Sequence, residues 1–209
     1  MRVIVVTCDK YSHIIPIFWH FYRKHWPDNH WHTTIVTNEK KIPCPSGADV
    51  LYLGPDKQYA TNMKLALQKI RDPYFLLMQE DYILRWVDLE TMREGFKLIQ
   101  RPEVHCVRLY PMPGPDAAIP YSRNFGELDK AGPYSLSLQT SFWKRALFQR
   151  LLVDGETPWE TELQGSSRVA KLPRSRLFLA SYKPALEYGQ YCTGGAENDH
   201  EKKWVEENW

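Results

Sequence analysis

The segment Tyr74-Phe75-Leu76-Leu77-Met78-Gln79-Glu80-Asp81-Tyr82 constrains the fold more than any other part of this chain. Its short, unbroken apolar run predicts a buried strand rather than a half-exposed one. The strand delivers two adjacent carboxylates, Glu80 and Asp81, to its C-terminal end. In open α/β sheets, ligands gather beyond the carboxyl ends of the strands. Unpaired carboxylates are costly to bury, so acids stranded there are poor core residues. Hard divalent cations such as Mg²⁺ or Mn²⁺ take oxygen ligands of this kind and usually share them with substrate phosphates. The string therefore points to a metal and a phosphorylated ligand, unless the two acids simply face water.

The flanking sequence places that strand in an alternating β-α series. Val3 to Thr7 is an expected first strand, and Ile14, Ile15, Phe18, Phe21 and Tyr22 then recur at helical spacing until Pro27-Asp28. Strands are expected at Thr33 to Thr37, Asp49 to Leu53 and His105 to Tyr110. Helices are expected over Ala60 to Ile70 and after Asp88, a good N-cap. This order predicts an α/β fold, a largely parallel sheet with helices on both faces. Pro111 to Pro133 is rich in Pro, Gly and Asp and reads as a long loop over one face, the kind that often serves as a lid or binding loop. Beyond it, Tyr134 to Thr140 reads as a strand, Lys144 to Leu152 as a short helix and Pro158 to about Arg168 as another, before a polar tail from Gly194.

Composition narrows the partners. The 209 residues suit one domain, residues 1–209, and the net charge of +2 gives little of the basic excess of a nucleic-acid binder. Cys8, Cys44, Cys106 and Cys192 are scattered without metal-finger spacing or a disulfide framework. The apolar run at Val3 to Val6 is too short for a signal-peptide core, and no stretch would span a bilayer. A cytoplasmic enzyme is the simplest expectation.

A second carboxylate site follows Thr157-Pro158-Trp159-Glu160. Thr157 suits an N-cap, Pro158 the first helical position, and Glu160 the third position of a capping box. Glu162 lies about 200° around the helix from Glu160 and has no capping duty. A general base must be held rigidly within reach of its proton, and the first turn of a helix provides that hold. Glu162 is the expected base, although a solvated Glu favoured by the helix dipole gives the same pattern.

Taken in order, these stretches resemble small GT-A-type glycosyltransferases, in particular bacterial and phage proteins related to family 2. The resemblance rests on Thr7-Cys8-Asp9 with Tyr11-Ser12, Thr37-Asn38-Glu39, Tyr74 to Tyr82, Ser137-Leu138-Gln139-Thr140 with Trp143, and Pro158-Trp159-Glu160-Thr161-Glu162. It implies a GT-A-like Rossmann-type sheet, with residues 1–110 as the nucleotide-sugar-binding half and 111–209 as the acceptor and catalytic half. Thr7, Asp9, Asn38 and Glu39 would hold the nucleoside of a UDP-type donor, and Gln79-Glu80-Asp81 occupies the place of the metal-binding DxD motif. Gln79 replaces the first Asp, so Asp81 is the direct match and Glu80 a possible substitute. His200 would complete the metal site, and Gln139, Trp143 and Trp159 would line the acceptor side. Glu162 would be the base of an inverting transfer.

Charge on the departing diphosphate would be absorbed by Mn²⁺ or Mg²⁺, or by cations such as Lys64 and the Arg168, Lys171, Arg174, Arg176 cluster. His30-Trp31-His32 is a weaker metal hint. The acceptor is open between a surface-glycan precursor and a hydroxymethylated DNA base, which would have to be extruded from the duplex. A nucleotidyltransferase is the alternative enzyme, but the Cys8-Asp9-Lys10-Tyr11 loop has no glycine to cradle phosphates. A non-catalytic nucleotide-sugar or glycan-binding module is the third reading, and it leaves two carboxylate sites without a purpose.

Overall fold

Strands and helices alternate through the first half of the chain, as the apolar periodicity predicts. The computed structural model describes residues 1–209. It begins with β1 (Arg2–Val6), a 3-10 turn at Ser12–Ile14, α1 (Ile15–His25), β2 (His32–Thr37), β3 (Ala48–Tyr52), α2 (Tyr59–Lys69) and β4 (Tyr74–Gln79). Then come β5 (Tyr82–Val87), α3 (Leu89–Ile99), β6 (Val104–Arg108), β7 (Ala117–Ala118), β8 (Phe125–Glu127), β9 (Ser141–Lys144), α4 (Arg145–Leu151) and α5 (Pro158–Ala170). The chain closes with β10 (Leu177–Ser181), β11 (Leu186–Gln190), β12 (Cys192–Thr193), β13 (Ala196–Glu197) and α6 (Asp199–Asn208).

Nine strands form one sheet in the order β3-β2-β1-β4-β9-β6-β10-β8-β7. Only β9 and β8 run against the rest, so the sheet is mostly parallel. β1 lies between β2 and β4 with all five residues in register on both sides, so Val6 pairs with Val36 and with Gln79. The carboxylate pair and the ends of β1 and β2 thereby come to one edge.

Side-chain alternation along β1 divides the interior into two layers. Val3 and Val5 pack with α1, α3 and the β5–β11 pair. Ile4 and Val6 pack on the other face with α2, α4 and α5. Local signals support the helices unequally. Asp88 caps α3 by accepting from the Glu90 and Thr91 N–H groups at 3.0 and 3.1 Å. α2 has no side-chain cap, and its N-cap Gln58 sits at φ +70°. Burial of Met63 and Leu67 at about 1.5–3 kcal/mol each outweighs a missing cap worth about 1 kcal/mol.

Two expectations differ from the structure, and a third segment gains elements that were not predicted. Tyr134 to Thr140 is irregular, and the strand begins only at Ser141. The Pro111 to Pro133 segment does not lie over the strand-end cavity; it supplies β7 and β8, which extend the sheet edge beside β10. The polar tail from Gly194, for which no element was expected, forms β13, paired with β12, and α6.

The tail is docked by a buried ion pair. Glu201 of α6 is 3% exposed and accepts from Arg85 Nη2 at 2.6 Å, while that guanidinium lies 4.3 Å from the Trp204 ring centroid. Gly189 on β11 leaves room for the carboxylate, since a Cβ there would overlap Glu201. Gly189→Ala is therefore expected to cost about 3 kcal/mol, through overpacking and displacement of a buried charge. Thermal denaturation should show a Tm lower by about 6–10 °C.

Candidate active site

Beyond the C-terminal ends of β1, β2 and β4 lies a cavity of about 550 Å³. Thr7 and Cys8 enter it from β1, Thr37 and Asn38 from β2, and Gln79, Glu80 and Asp81 from β4. Tyr59, Asn62 and Met63 of α2 and Pro158, Trp159 and Glu162 of α5 form the opposite wall. Gln190 and the Cys192 to Gly195 turn close the top.

That turn is fastened to the loop after β1. Gly195 O accepts from Tyr11 Oη at 3.0 Å and Lys10 Nζ at 3.2 Å, and His13 Nε2 meets Glu197 Oε1 at 2.9 Å. Gly194 and Gly195 have φ of +60° and +85°, which side-chain-bearing residues rarely adopt.

Glu80 and Asp81 differ in setting. Glu80 is 6% exposed and accepts from Thr7 Oγ1 at 3.2 Å. Burial, and then the neighbouring Asp81, push its pKa well above the usual carboxylate range. Burial raises Asp81 to about 6, opposed by hydrogen bonds from its own N–H and that of Cys192. The cavity wall carries Asp56, Glu80, Asp81 and Glu162 against a single cation, Lys10. Such an excess of carboxylates around one cavity attracts a cation and opposes a bare diphosphate. No group of three or more His, Cys, Asp or Glu side chains is arranged to hold a metal. The donor set fits a hard cation held by one or two carboxylates and completed by substrate oxygens.

Glu162 is clamped by a different route. Its Oε1 accepts from Ser137 Oγ at 3.0 Å and from Leu138 N at 2.7 Å. The irregular Ser135 to Gln139 segment thus holds one carboxylate oxygen and leaves Oε2 without a protein partner. The capping box forms beside it, with Glu160 N donating to Thr157 Oγ1 and Thr157 N donating to Glu160 Oε2.

Thr7, Asn38, Glu80, Asp81, Trp159 and Glu162 all line the cavity, and Trp159 is 61% exposed. Other candidates lie elsewhere. Trp143 is fully buried between Phe148 and Phe178, because its position on β9 points into the layer under α4, and it presents no surface to an acceptor. Gln139 is hydrogen-bonded to Tyr188 behind the wall. Asp9 Oδ1 accepts from Glu39 N and Lys40 N, so it shapes the turn after β2, and Glu39 itself faces solvent. Lys64 pairs with Asp154 at 2.9 Å, and Arg168 holds Glu156 with two 2.7 Å bonds. Lys171, Arg174 and Arg176 stand apart from the cavity, as does His200, exposed in the first turn of α6. His32 is occupied by Asp49. The sequence reading quoted Lys10 and Thr37 within its motifs but gave them no binding role, and it missed Asp56, Tyr59 and Asn62, which are assembled only by the tertiary fold.

The chain has the GT-A fold. It superposes on the structure of TarS residues 1–349 of S. aureus, with a TM-score of 0.57 over 90% of this chain and 59% of that one, at 16% identity. A second TarS structure, in complex with UDP-GlcNAc, gives a TM-score of 0.56 over 92% of this chain, also at 16% identity. The mannosyltransferase PcManGT of Pyrobaculum calidifontis, in complex with GDP-Man and Mn²⁺, gives 0.57 over 93% of this chain and 57% of that one, at 13% identity. The chain thus spans under two thirds of the length of these structures, and identities this low establish the fold alone. No family model matches the sequence. A 58-residue stretch, 28% of this chain, is 34% identical to a tenth of proline–tRNA ligase from Prochlorococcus marinus, too short a match to assign a role. No helix is long and apolar enough to cross a membrane.

Proposed function

We propose that this chain is a nucleotide-sugar-dependent glycosyltransferase that moves a sugar to an acceptor hydroxyl with inversion. One observation carries this reading: a carboxylate pair at the end of β4 and a separately clamped Glu162 open into the same cavity. In this reading residues 1–110 bind the donor, and residues 111–209 supply the base and the acceptor side. Thr7 and Asn38 line the cavity at the ends of β1 and β2, and in this reading they would contact the nucleoside. Asp81, with Glu80 beside it, would hold Mn²⁺ or Mg²⁺ on the donor diphosphate. When bound, that cation neutralises charge developing on the leaving group. Lys64 and Arg168 are paired elsewhere, and Lys171, Arg174 and Arg176 lie outside the cavity, so carboxylates and cation are the better account.

Glu162 Oε2 takes the proton of the acceptor hydroxyl while Oε1 stays fixed by Ser137 and Leu138. The acceptor oxygen forms a bond to the anomeric carbon as the bond from that carbon to the diphosphate breaks, the electron pair leaving with the diphosphate. Trp159, and Leu163 one turn further along α5, are exposed beside the base and offer a flat apolar surface for a sugar ring. An acidic cavity rim favours a glycan acceptor over DNA, whose phosphates need cations around the site.

Thermal shift in the presence of UDP-, GDP- and dTDP-sugars, each with Mn²⁺ or with EDTA, tests this. One donor class should raise the Tm with Mn²⁺ by mass action and lose that effect in chelator. An undiminished shift in EDTA would remove Asp81 from its role. No shift with any donor would count against the transferase.

A further inference from the structure

Arg108, the last residue of β6, is 1% exposed. Its guanidinium makes three hydrogen bonds, and all of them go to main-chain carbonyls. Nη1 donates to Pro113 O at 3.0 Å, and Nη2 donates to Tyr134 O at 2.6 Å and Ser135 O at 3.3 Å. None reaches a carboxylate, and Nε has no partner. Burying a cation without a counter-ion is costly, so a plain core position would carry an apolar residue. The carbonyls explain why this one does not. Tyr134 to Thr140 is irregular and has no strand ladder to meet its main-chain groups, which still need partners once buried. Tyr134 itself sits at φ +54°, a left-handed backbone that a side-chain-bearing residue holds only when its surroundings enforce it.

The same segment clamps the proposed base. From the Arg108 end it passes Leu136, whose N–H donates to Ser166 Oγ of α5 at 3.1 Å, and reaches Ser137 Oγ and Leu138 N on Glu162 Oε1. Gly165 lets Leu136 lie against α5, since a Cβ there would come within 2.7 Å of Leu136 Cδ1. The segment is thus held by α5 on one side and by a single guanidinium on the other. We propose that Arg108 is a positioning residue: by fixing the Tyr134 and Ser135 carbonyls it sets where Ser137 and Leu138 stand, and so how Glu162 is aimed. The contact stands on the geometry alone; its effect on turnover rests on the glycosyltransferase reading.

The test is Arg108→Lys, which keeps the charge and removes the fork. Its first readout is the amide proton resonance of Leu138, which a charge-assisted bond to Glu162 holds downfield. That resonance should move upfield, in the direction Glu162→Ala moves it, while the amide of Thr91 at the distant Asp88 cap stays in place. An unmoved Leu138 amide would overturn the proposal, and so would a shift of both amides, which would mean general loosening. The second readout is nucleoside diphosphate release in Mn²⁺, with water as acceptor, from the nucleotide sugar giving the largest wild-type thermal shift. Arg108→Lys should lower kcat about 10-fold with KM unchanged, and should lower nothing further in a Glu162→Gln background. Equal losses in both backgrounds would make Arg108 merely structural. Should Arg108→Lys not fold, Ser137→Ala reads the same link in reverse: it should shift the Arg108 guanidinium ¹⁵N resonances, and no shift would overturn the proposal. A wild-type protein that turns over no donor would overturn the transferase reading, while the amide readout would still decide the contact.

Discussion

Glu162→Gln is expected to lower kcat by about 10³, with donor affinity and Tm close to wild type. The substitution is nearly isosteric. The Gln carbonyl oxygen can accept from Ser137 Oγ and Leu138 N as Glu162 Oε1 does, so the clamp and the α5 start persist. What disappears is the basic oxygen facing the cavity. Single-turnover transfer, measured beside the Mn²⁺-dependent thermal shift, separates these effects. Retained transfer at wild-type rate would remove Glu162 as the base. Loss of the thermal shift together with activity would mean that Glu162 shapes the donor pocket instead.

Asp81→Asn should act in opposite directions on binding and on stability. Without its carboxylate the Mn²⁺-dependent donor shift should vanish. The metal-free protein should nevertheless become more stable at neutral pH. The folded-state pKa of about 6 lies above the ordinary value of 3.8, so the folded chain holds its proton more tightly than the unfolded one. The stability contributed by protonated Asp81 is present below pH 3.8 and is lost as pH rises through about 6. The neutral amide of the variant would carry no such penalty, so the gain should be on the order of 2 kcal/mol at pH 8 and should fade below about pH 4. Urea unfolding of both proteins across this range checks it. A variant less stable than wild type at pH 8 would show that the Asp81 carboxylate is structural.

Features carried by local sequence were legible: the apolar runs of β1 and β4, the β-branched run of β2, the Asp88 cap and the Thr157 capping box. Each depends on residues a few positions apart. Trp143 was misread because a tryptophan near a suspected site suits stacking or a core equally, and only β9's place between β4 and β6 decides between them. Asp9 was misread for a related reason. Its carboxylate reaches across to the backbone of Glu39 and Lys40, a pairing that exists only once β1 and β2 are side by side. The roof of the cavity was invisible because Cys192 to Gly195 is more than 100 residues from β4 and carries no periodic pattern.

The division of the interior by the sheet has a consequence for how this protein tolerates change. Neighbouring residues on one strand, such as Ile4 and Val5, anchor different apolar layers with separate partners. Losses from truncating one of them should add to losses from truncating the other, whereas pairs within one layer should couple through shared cavities. The two layers can therefore drift in sequence almost independently. The strand-end cavity, built from β-strand termini and from helix α5 of one layer and the β5–β11 side of the other, is where substitutions in either would have to be reconciled.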